Sequence, residues 1–157
     1  MFARSSGRTA LGVVVAFVLA ALLVVTLVPS SANAQERFGR RRQMLSLTND
    51  DRRQHDRRAL DFAGAMSAYA KDHSRAMARK GHLFHSTEGQ LRTLLDGRNW
   101  SIAGENVGVG STLESLQDAF MDSEMHRQNV LRPEFFRAAV GVVRDDGRLW
   151  VTVIFYG

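Results

Sequence analysis

The sequence contains no cysteine and only two prolines. The absence of cysteine excludes a disulfide framework, a zinc site built on thiolates and a cysteine nucleophile. The excess of positive over negative residues is also small, since the formal net charge is only +5 over 157 residues. A nucleic-acid surface needs cations clustered on one face and not merely a positive total, so the composition gives no reason to expect a nucleic-acid partner. The length predicts one globular domain.

The N-terminus predicts export to the cell envelope or the extracellular space. Two arginines precede an apolar run over residues 11–28, and the small residues of Ala32-Asn33-Ala34 follow it. This order is typical of a secretory signal peptide over residues 1–34, cleaved before Gln35. An N-terminal membrane segment is the alternative, because the run is at the short end of what spans a bilayer. The arginines that follow the run complicate that alternative, since they favour the cytoplasmic side.

The rest of the chain is predicted to divide into a linker and a domain. Residues 35–43 hold four arginines and almost no apolar surface, which indicates a solvated basic linker. The domain is expected over residues 44–157. Its first helix is predicted over residues 44–54, where apolar residues occupy one turn and charged residues follow.

Three further helices are predicted from apolar spacing. The first is a long helix with a stripe that runs from Phe62 to Met77, at helical intervals, and ends at Gly81. His73 lies within this stripe and is interpreted as a packing residue. A short helix is expected over residues 88–96, and a fourth starts near Thr112, where a serine and a threonine precede an acidic residue.

The C-terminus predicts a β-hairpin and, with it, the fold class. Residues 138–144 and 149–156 are rich in β-branched and aromatic side chains, and Asp146-Gly147 between them is a strong two-residue turn signal. Both strands are apolar on both faces, so helices must cover the sheet on each side. The prediction is an α+β fold, a three-layer α-β-α sandwich with a C-terminal antiparallel hairpin.

Few polar residues stand out as candidates for chemistry. His82 and His85 are three residues apart and could be local metal ligands, but the sequence has no His-Glu-x-x-His motif. The glycines of residues 104–110 match neither dinucleotide nor P-loop spacing. The candidates that remain are His85, Glu105, His126 and the acids Asp122 and Glu124.

Several segments, in the same order, resemble the CAP superfamily, which comprises the cysteine-rich secretory, antigen-type and pathogenesis-related proteins. Phe84-His85-Ser86 is similar to a signature that follows the family's long helix, and residues 104–108 (GENVG) are similar to its Gly-Glu-Asn segment. Residues 120–131 (FMDSEMHRQNVL) resemble the bacterial element that carries a second histidine. Residues 45–53 resemble the family's opening helix, and residues 139–143 together with 150–155 resemble its closing hairpin. The sequence is identified as a member of the bacterial, cysteine-free type.

The resemblance implies an α-β-α sandwich whose central cleft gathers two histidines and one or two acids, and which binds a divalent cation in some members. The matching positions are His85, Glu105 and His126. The second acid of many eukaryotic members is missing, because Ser123 stands at its position. Asp122 or Glu124 could replace it only if the helix is frayed there, because one residue along a helix turns a side chain by about 100°.

Two interpretations of this cleft remain open. In the first, His85 and His126 bind Zn²⁺ or a similar ion and Glu105 orients a ring or a water molecule beside it. In the second, His85, Glu105 and Ser123 form a buried hydrogen-bond network that only ties the helices to the sheet.

Three functions are considered for this domain. The favoured one is a non-enzymatic module that binds an extracellular ligand, such as a cell-wall component, a lipid or a peptide, because the sequence has no evident nucleophile or base pair. The alternative is a metal-assisted hydrolase with Glu105 as general base. A lipid or sterol carrier is implied by the resemblance alone. The sequence does not fix the oligomeric state.

Overall fold

A computed structural model describes residues 31–157 of the chain, so most of the predicted export signal lies outside the described residues. Within residues 31–157, no helix is both long and apolar enough to cross a membrane. The helices are α1 (Ser31–Gln54), α2 (Ser67–Lys80), α3 (Glu88–Leu95), α4 (Leu113–Asp122) and α5 (Glu124–Leu131). The strands are β1 (Asp61–Phe62), β2 (Ala103–Gly110), β3 (Arg137–Asp145) and β4 (Arg148–Tyr156), and a 3-10 turn, Gly64–Met66, precedes α2.

The four strands form one sheet in the order β1-β3-β4-β2. Strands β3 and β4 form the predicted hairpin, with Asp145 opposite Arg148. The two turn residues, Asp146 and Gly147, have φ angles of 43° and 71°. Two positive φ angles are what a tight turn with the twist of the flanking strands requires, so the Asp-Gly signal is confirmed.

The sheet lies between two layers of helices, which confirms the predicted sandwich. Alternate residues of β4 face opposite layers, because side chains alternate along a strand. Val151, Val153 and Phe155 belong to the core formed with α1, α4 and α5. Ile154 and Tyr156 belong to the core formed with α2 and α3. The sheet therefore supplies both cores, as its two apolar faces predict.

The predicted helix ends are largely confirmed. Gly81 has a φ angle of 70° and ends α2 in the left-handed conformation. The side chain of Thr112 accepts a hydrogen bond from the backbone N–H of Ser115 and caps α4. Phe62 differs from its prediction, since it lies in β1, which pairs with β3, and not in the helical stripe.

The segment predicted as a solvated linker is helical. Helix α1 begins at Ser31 and not near Met44, so residues 35–43 belong to it. The side chain of Phe38 packs edge to face against Phe62, with ring centroids 6.2 Å apart, and the guanidinium of Arg42 lies 4.7 Å from the centroid of the Phe38 ring. Arginine and glutamine are good helix formers, and these contacts give this part of the helix packing on the domain.

Arg52 connects the end of α1 to three other segments, which are the loop after α1, the end of α5 and the residues just before β3. Its side chain is fully buried. The guanidinium donates hydrogen bonds to the carbonyls of Arg58, Val130, Arg132 and Phe135 at 2.6–3.0 Å. Burial, and then the positive charge of Arg57, lower the pKa of Arg52 from its ordinary value. Each guanidinium nitrogen nevertheless has a carbonyl partner, so the buried cation is solvated by backbone dipoles.

Candidate functional site

Strand β2 lies at one edge of the sheet, next to β4. Its residues alternate between the layers, so that Val107 packs with Met77 of α2. A Cβ atom on Gly108 would lie 3.0 Å from side-chain atoms of Leu116 and Phe120 in α4. The glycines of this strand therefore allow α4 and α5 to approach it closely.

The loop between α2 and α3 is held at both ends. The Nε2 atom of His73 lies 2.8 Å from the carbonyl oxygen of Phe84 and donates to it. The His73 ring is almost buried and packs edge to face on the Phe84 ring, which confirms its packing role. Thr87 and Gln90 form a reciprocal capping box that begins α3. These contacts fix the loop residues between them.

The fixed loop places three donors, from two residues, against the carboxylate of Glu105. The Nδ1 atom of His85 lies 2.9 Å from Glu105 Oε1, to which the backbone N–H of Ser86 also donates at 2.9 Å. The hydroxyl of Ser86 donates to Oε2 at 2.7 Å and accepts a hydrogen bond from the Tyr69 hydroxyl at 3.1 Å. The Glu105 side chain is only 4% exposed. Three donors therefore compensate the burial of this carboxylate.

His126 reaches the same edge from the opposite layer. Its backbone carbonyl accepts a hydrogen bond from the Asn106 side chain at 3.0 Å. The side-chain amide of Asn129 donates to Asn106 Oδ1 at 2.9 Å. The His126 ring packs on Phe120, with centroids 5.2 Å apart. The pair of buried or half-buried asparagines thus holds α5, and with it His126, against β2.

The surroundings of His126 favour the neutral form of its ring. Burial, and then the positive charge that His85 can carry, lower the pKa of His126 below its ordinary 6.5. A neutral imidazole offers one donor and one acceptor, or a metal-ligating nitrogen. The His85 side chain is 57% exposed, and only its Nδ1 is engaged among the described residues. The two rings are therefore the parts of the cluster that are open to a ligand.

The remaining predicted residues lie outside this cluster. The side chains of Asp122 and Glu124 are exposed, and Glu124 accepts a hydrogen bond from Gln128 in its own helix. Neither forms a hydrogen bond or an ion pair with the cluster in residues 31–157. Ser123 lies at the junction of α4 and α5, where its backbone caps both helices. The serine that binds Glu105 is Ser86, so the expected network is present with a different serine.

Other polar residues of the edge were not singled out by sequence. Tyr69 was assigned to an apolar stripe, and Ser86, Asn106 and Asn129 lie within the segments that carry the family resemblance. For these three residues, the position within a family segment was the sequence signal that could have identified them. His82, by contrast, is exposed, and within residues 31–157 its ring contacts the Lys80 carbonyl and the Phe84 ring and not His85.

Comparison with known proteins identifies the family. The profile of the CAP family, described as the cysteine-rich secretory protein family, matches residues 45–155. The chain belongs to this family. A relative from Bacillus subtilis (strain 168), the uncharacterized protein YkwD, is 32% identical over 130 residues, which are 80% of this chain and 48% of YkwD. The chain thus spans about half the length of that curated relative.

Solved structures support the CAP fold. An extracellular protein containing an SCP domain from Bacillus anthracis str. Ames has a TM-score of 0.66 at 26% identity, covering 78% of this chain and 42% of that one. A cysteine-rich secretory protein from Staphylococcus aureus subsp. aureus Mu50 has a TM-score of 0.62 at 21% identity, covering 78% and 39%. An outer surface protein from Borrelia burgdorferi has a TM-score of 0.61 at 16% identity, covering 73% and 90%.

The residues around Glu105 offer few ligands for a metal ion. No group of three or more His, Cys, Asp or Glu side chains that could hold an ion occurs within residues 31–157. Both oxygens of Glu105 already accept hydrogen bonds, and one of them binds the His85 ring. That contact is the kind that orients a metal-binding histidine. A cation would have His85 and His126 as its protein ligands, which is fewer than catalytic zinc sites have.

Proposed function

We propose that this CAP domain is an exported, non-enzymatic binding module. It holds a cell-envelope ligand between the rings of His85 and His126. The predicted export signal supports the location, as do the structural relatives described as extracellular or outer surface proteins. The neutral His126 and the exposed His85 supply donors and acceptors for a polar ligand.

The burial of Glu105 is the observation that favours a binding protein over an enzyme. A general base must come within hydrogen-bond reach of the proton that it removes, directly or through one water. The Glu105 side chain is 4% exposed, and both of its oxygens accept hydrogen bonds from the loop. The carboxylate therefore positions His85 and is not available to activate water for hydrolysis.

Isolated cell-wall material tests the function. The full chain in a non-ionic detergent is incubated with insoluble peptidoglycan, and both the bound protein and the released soluble fragments are measured. We expect retention of the protein without release of fragments. His85→Ala and His126→Ala should lower retention at least about tenfold, which corresponds to about 1.4 kcal/mol. His82→Ala, an exposed histidine of the same loop, is the matched control and should bind normally.

Release of fragments that stops in His126→Ala would show an enzyme and refute the proposal. Equal retention of all four proteins would place binding outside the cleft. Because His85→Ala removes one of the three donors to the buried Glu105, folding of each variant is checked by its circular dichroism and thermal unfolding.

We also propose that a divalent ion such as Zn²⁺ binds His85 and His126. Thermal unfolding of the full chain with increasing Zn²⁺ tests this, since a ligand of the folded state adds about 2.7 kcal/mol at a hundredfold excess over Kd. The shift in melting temperature should disappear in His85→Ala and in His126→Ala and persist in His82→Ala. Equal shifts in all variants, or no shift in the natural protein, would exclude the metal while leaving ligand binding to the peptidoglycan experiment.

A further inference from the structure

A second concave surface lies on the opposite side of the sheet from β2, between α1, α2 and the end of β3. This groove has a volume of about 570 Å³, and its aliphatic residues are Val142 and Val143 of β3. All its other lining residues are charged. We call it the basic groove and define it by its cations, which are Arg37, Arg40, Lys71, Arg75, Arg79 and Arg144.

The cations that line the basic groove outnumber the acids that line it. Six cations line it, against the two acids Glu36 and Asp145. Glu36 is paired with Arg40, and Arg75 is paired with Asp72 of its own helix. The other four cations form no ion pair within residues 31–157. A concave site lined by charge of one sign concentrates its field and attracts oppositely charged ligands.

The cations of α2 have a regular spacing. Lys71, Arg75 and Arg79 lie at i, i+4 and i+8, which places them along one face of the helix. Successive members are separated by about 6 Å along the axis, because each residue rises about 1.5 Å. Arginines of α1 and β3 line the other walls. This arrangement suits an extended ligand with repeated anionic groups better than a single small anion.

The lining also distinguishes between kinds of polyanion. No aromatic side chain lines the basic groove, whereas proteins that bind single-stranded nucleic acids without sequence preference stack bases on aromatic rings. Its walls are concave, whereas a lipid bilayer presents a broad surface to protruding cations. The lining therefore offers contacts to charged groups along a chain and none to bases.

We propose that the basic groove binds a linear polymer with repeated phosphate groups and no bases. The polymer is held by charge contacts along α2, with the arginines of α1 and β3 on the other walls. The site is separate from the cleft of His85 and His126, so it adds a second ligand class to the binding module. Binding depends on salt, because each neutralised phosphate releases a counterion.

Inorganic polyphosphate is the probe. Fluorescence anisotropy with labelled short-chain polyphosphate and the full chain in a non-ionic detergent gives the affinity over a range of salt concentrations. Lys71→Gln/Arg75→Gln/Arg79→Gln should weaken binding at least about tenfold and reduce the slope of log K against log salt by about 2, at about 0.7 per lost contact. Arg37→Gln/Arg40→Gln/Arg144→Gln alters the other walls and should weaken binding to a similar extent. This second variant keeps the test possible if the first one fails to fold.

The control removes the same charge elsewhere. Arg53→Gln/Arg92→Gln/Arg98→Gln changes three exposed cations outside the groove and should keep the affinity within about twofold. An equal loss in this control would reveal unspecific attraction and overturn the proposal. Tighter binding of oligothymidylate would assign the groove to nucleic acid, and full displacement of polyphosphate by phosphatidylglycerol vesicles would assign it to a membrane. Either result also overturns the proposal, whereas His126→Ala should leave polyphosphate binding unchanged.

Discussion

Glu105 shows how one buried charge organises the candidate site. Its oxygens accept from the His85 ring, from the Ser86 backbone and from the Ser86 hydroxyl. Hydrogen bonds to an ionised group are about twice as strong as neutral ones. The residue types of this cluster were predicted from sequence, except that the serine was expected at position 123 and stands at position 86.

Replacing the carboxylate by an amide should weaken the cluster. Glu105→Gln keeps the shape but loses the charge, so the free energy of unfolding should fall by about 1–2 kcal/mol. Urea unfolding followed by circular dichroism measures it. Glu114→Gln, which changes an exposed carboxylate bonded to Gln43, should stay within about 0.5 kcal/mol of the natural protein. Unchanged stability in Glu105→Gln would mean that the hydrogen bonds to this carboxylate contribute little to the stability of the domain.

His126 predicts a specific pH dependence of stability. Its pKa is lowered in the folded state, first by burial and then by the charge of His85. As the pH falls through about 6.5, the unfolded chain takes up a proton at this position before the folded domain does. The unfolded state then binds more protons, so the folded domain loses stability as the pH falls.

Removal of the titrating ring should reduce that loss. Between about pH 7.5 and about pH 5.5, the free energy of unfolding of His126→Gln should fall by less than that of the natural protein. Urea unfolding at the two pH values measures the difference. A parallel decline in both proteins would show that His126 takes up its proton equally well in the folded and unfolded states.

At the scale of elements, the ends of the helices and the hairpin follow local rules. Gly81 ends α2, Thr112 begins α4, and Asp146-Gly147 closes the hairpin. Each of these contacts joins residues within about four positions, so sequence contains the necessary information. The start of α1 and the two-residue strand β1 were missed, because they depend on contacts with distant segments such as Phe62 and β3.

Arg52 holds α1 against the end of α5 and the residues before β3. These contacts join distant segments, so no local sequence pattern predicts them. Arg52→Met keeps much of the volume but leaves four buried or half-buried carbonyls without a donor, so we expect a loss of at least about 2 kcal/mol. Arg53→Met, at the exposed neighbour that pairs with Asp50, should change stability by less than about 0.5 kcal/mol. Thermal and urea unfolding compare the two. If both substitutions changed the free energy of unfolding by the same small amount, the buried guanidinium of Arg52 would not stabilise the fold as described.

At the scale of the whole molecule, the two helical layers share one sheet. Residues of β4 contribute alternately to both cores, so loss of the sheet removes the apolar contacts of both layers. Small domains with such shared cores usually unfold in one cooperative step. The three-layer order was predictable, because strands that are apolar on both faces cannot leave either face in water.

The shared sheet predicts coincident unfolding transitions. Trp100 and Trp150 report on the layer of α2 and α3, whereas circular dichroism reports on the helices of both layers. Urea transitions followed by tryptophan fluorescence and by far-ultraviolet circular dichroism should therefore have the same midpoint. A later transition in circular dichroism alone would mean that the layer of α1, α4 and α5 is stable by itself.

The sequence alone determined the sandwich, the helix ends and the hairpin turn, and it predicted His85, Glu105 and His126 as site residues, because apolar periodicity, capping and family segments are properties of neighbours in the chain. The tertiary structure decided that Ser86 and not Ser123 binds Glu105, and that Arg52 is enclosed by carbonyls up to 83 positions away. It also brought cations of α1, α2 and β3 into one groove. Such contacts depend on how distant segments pack, and side-chain spacing within one segment carries no record of that packing.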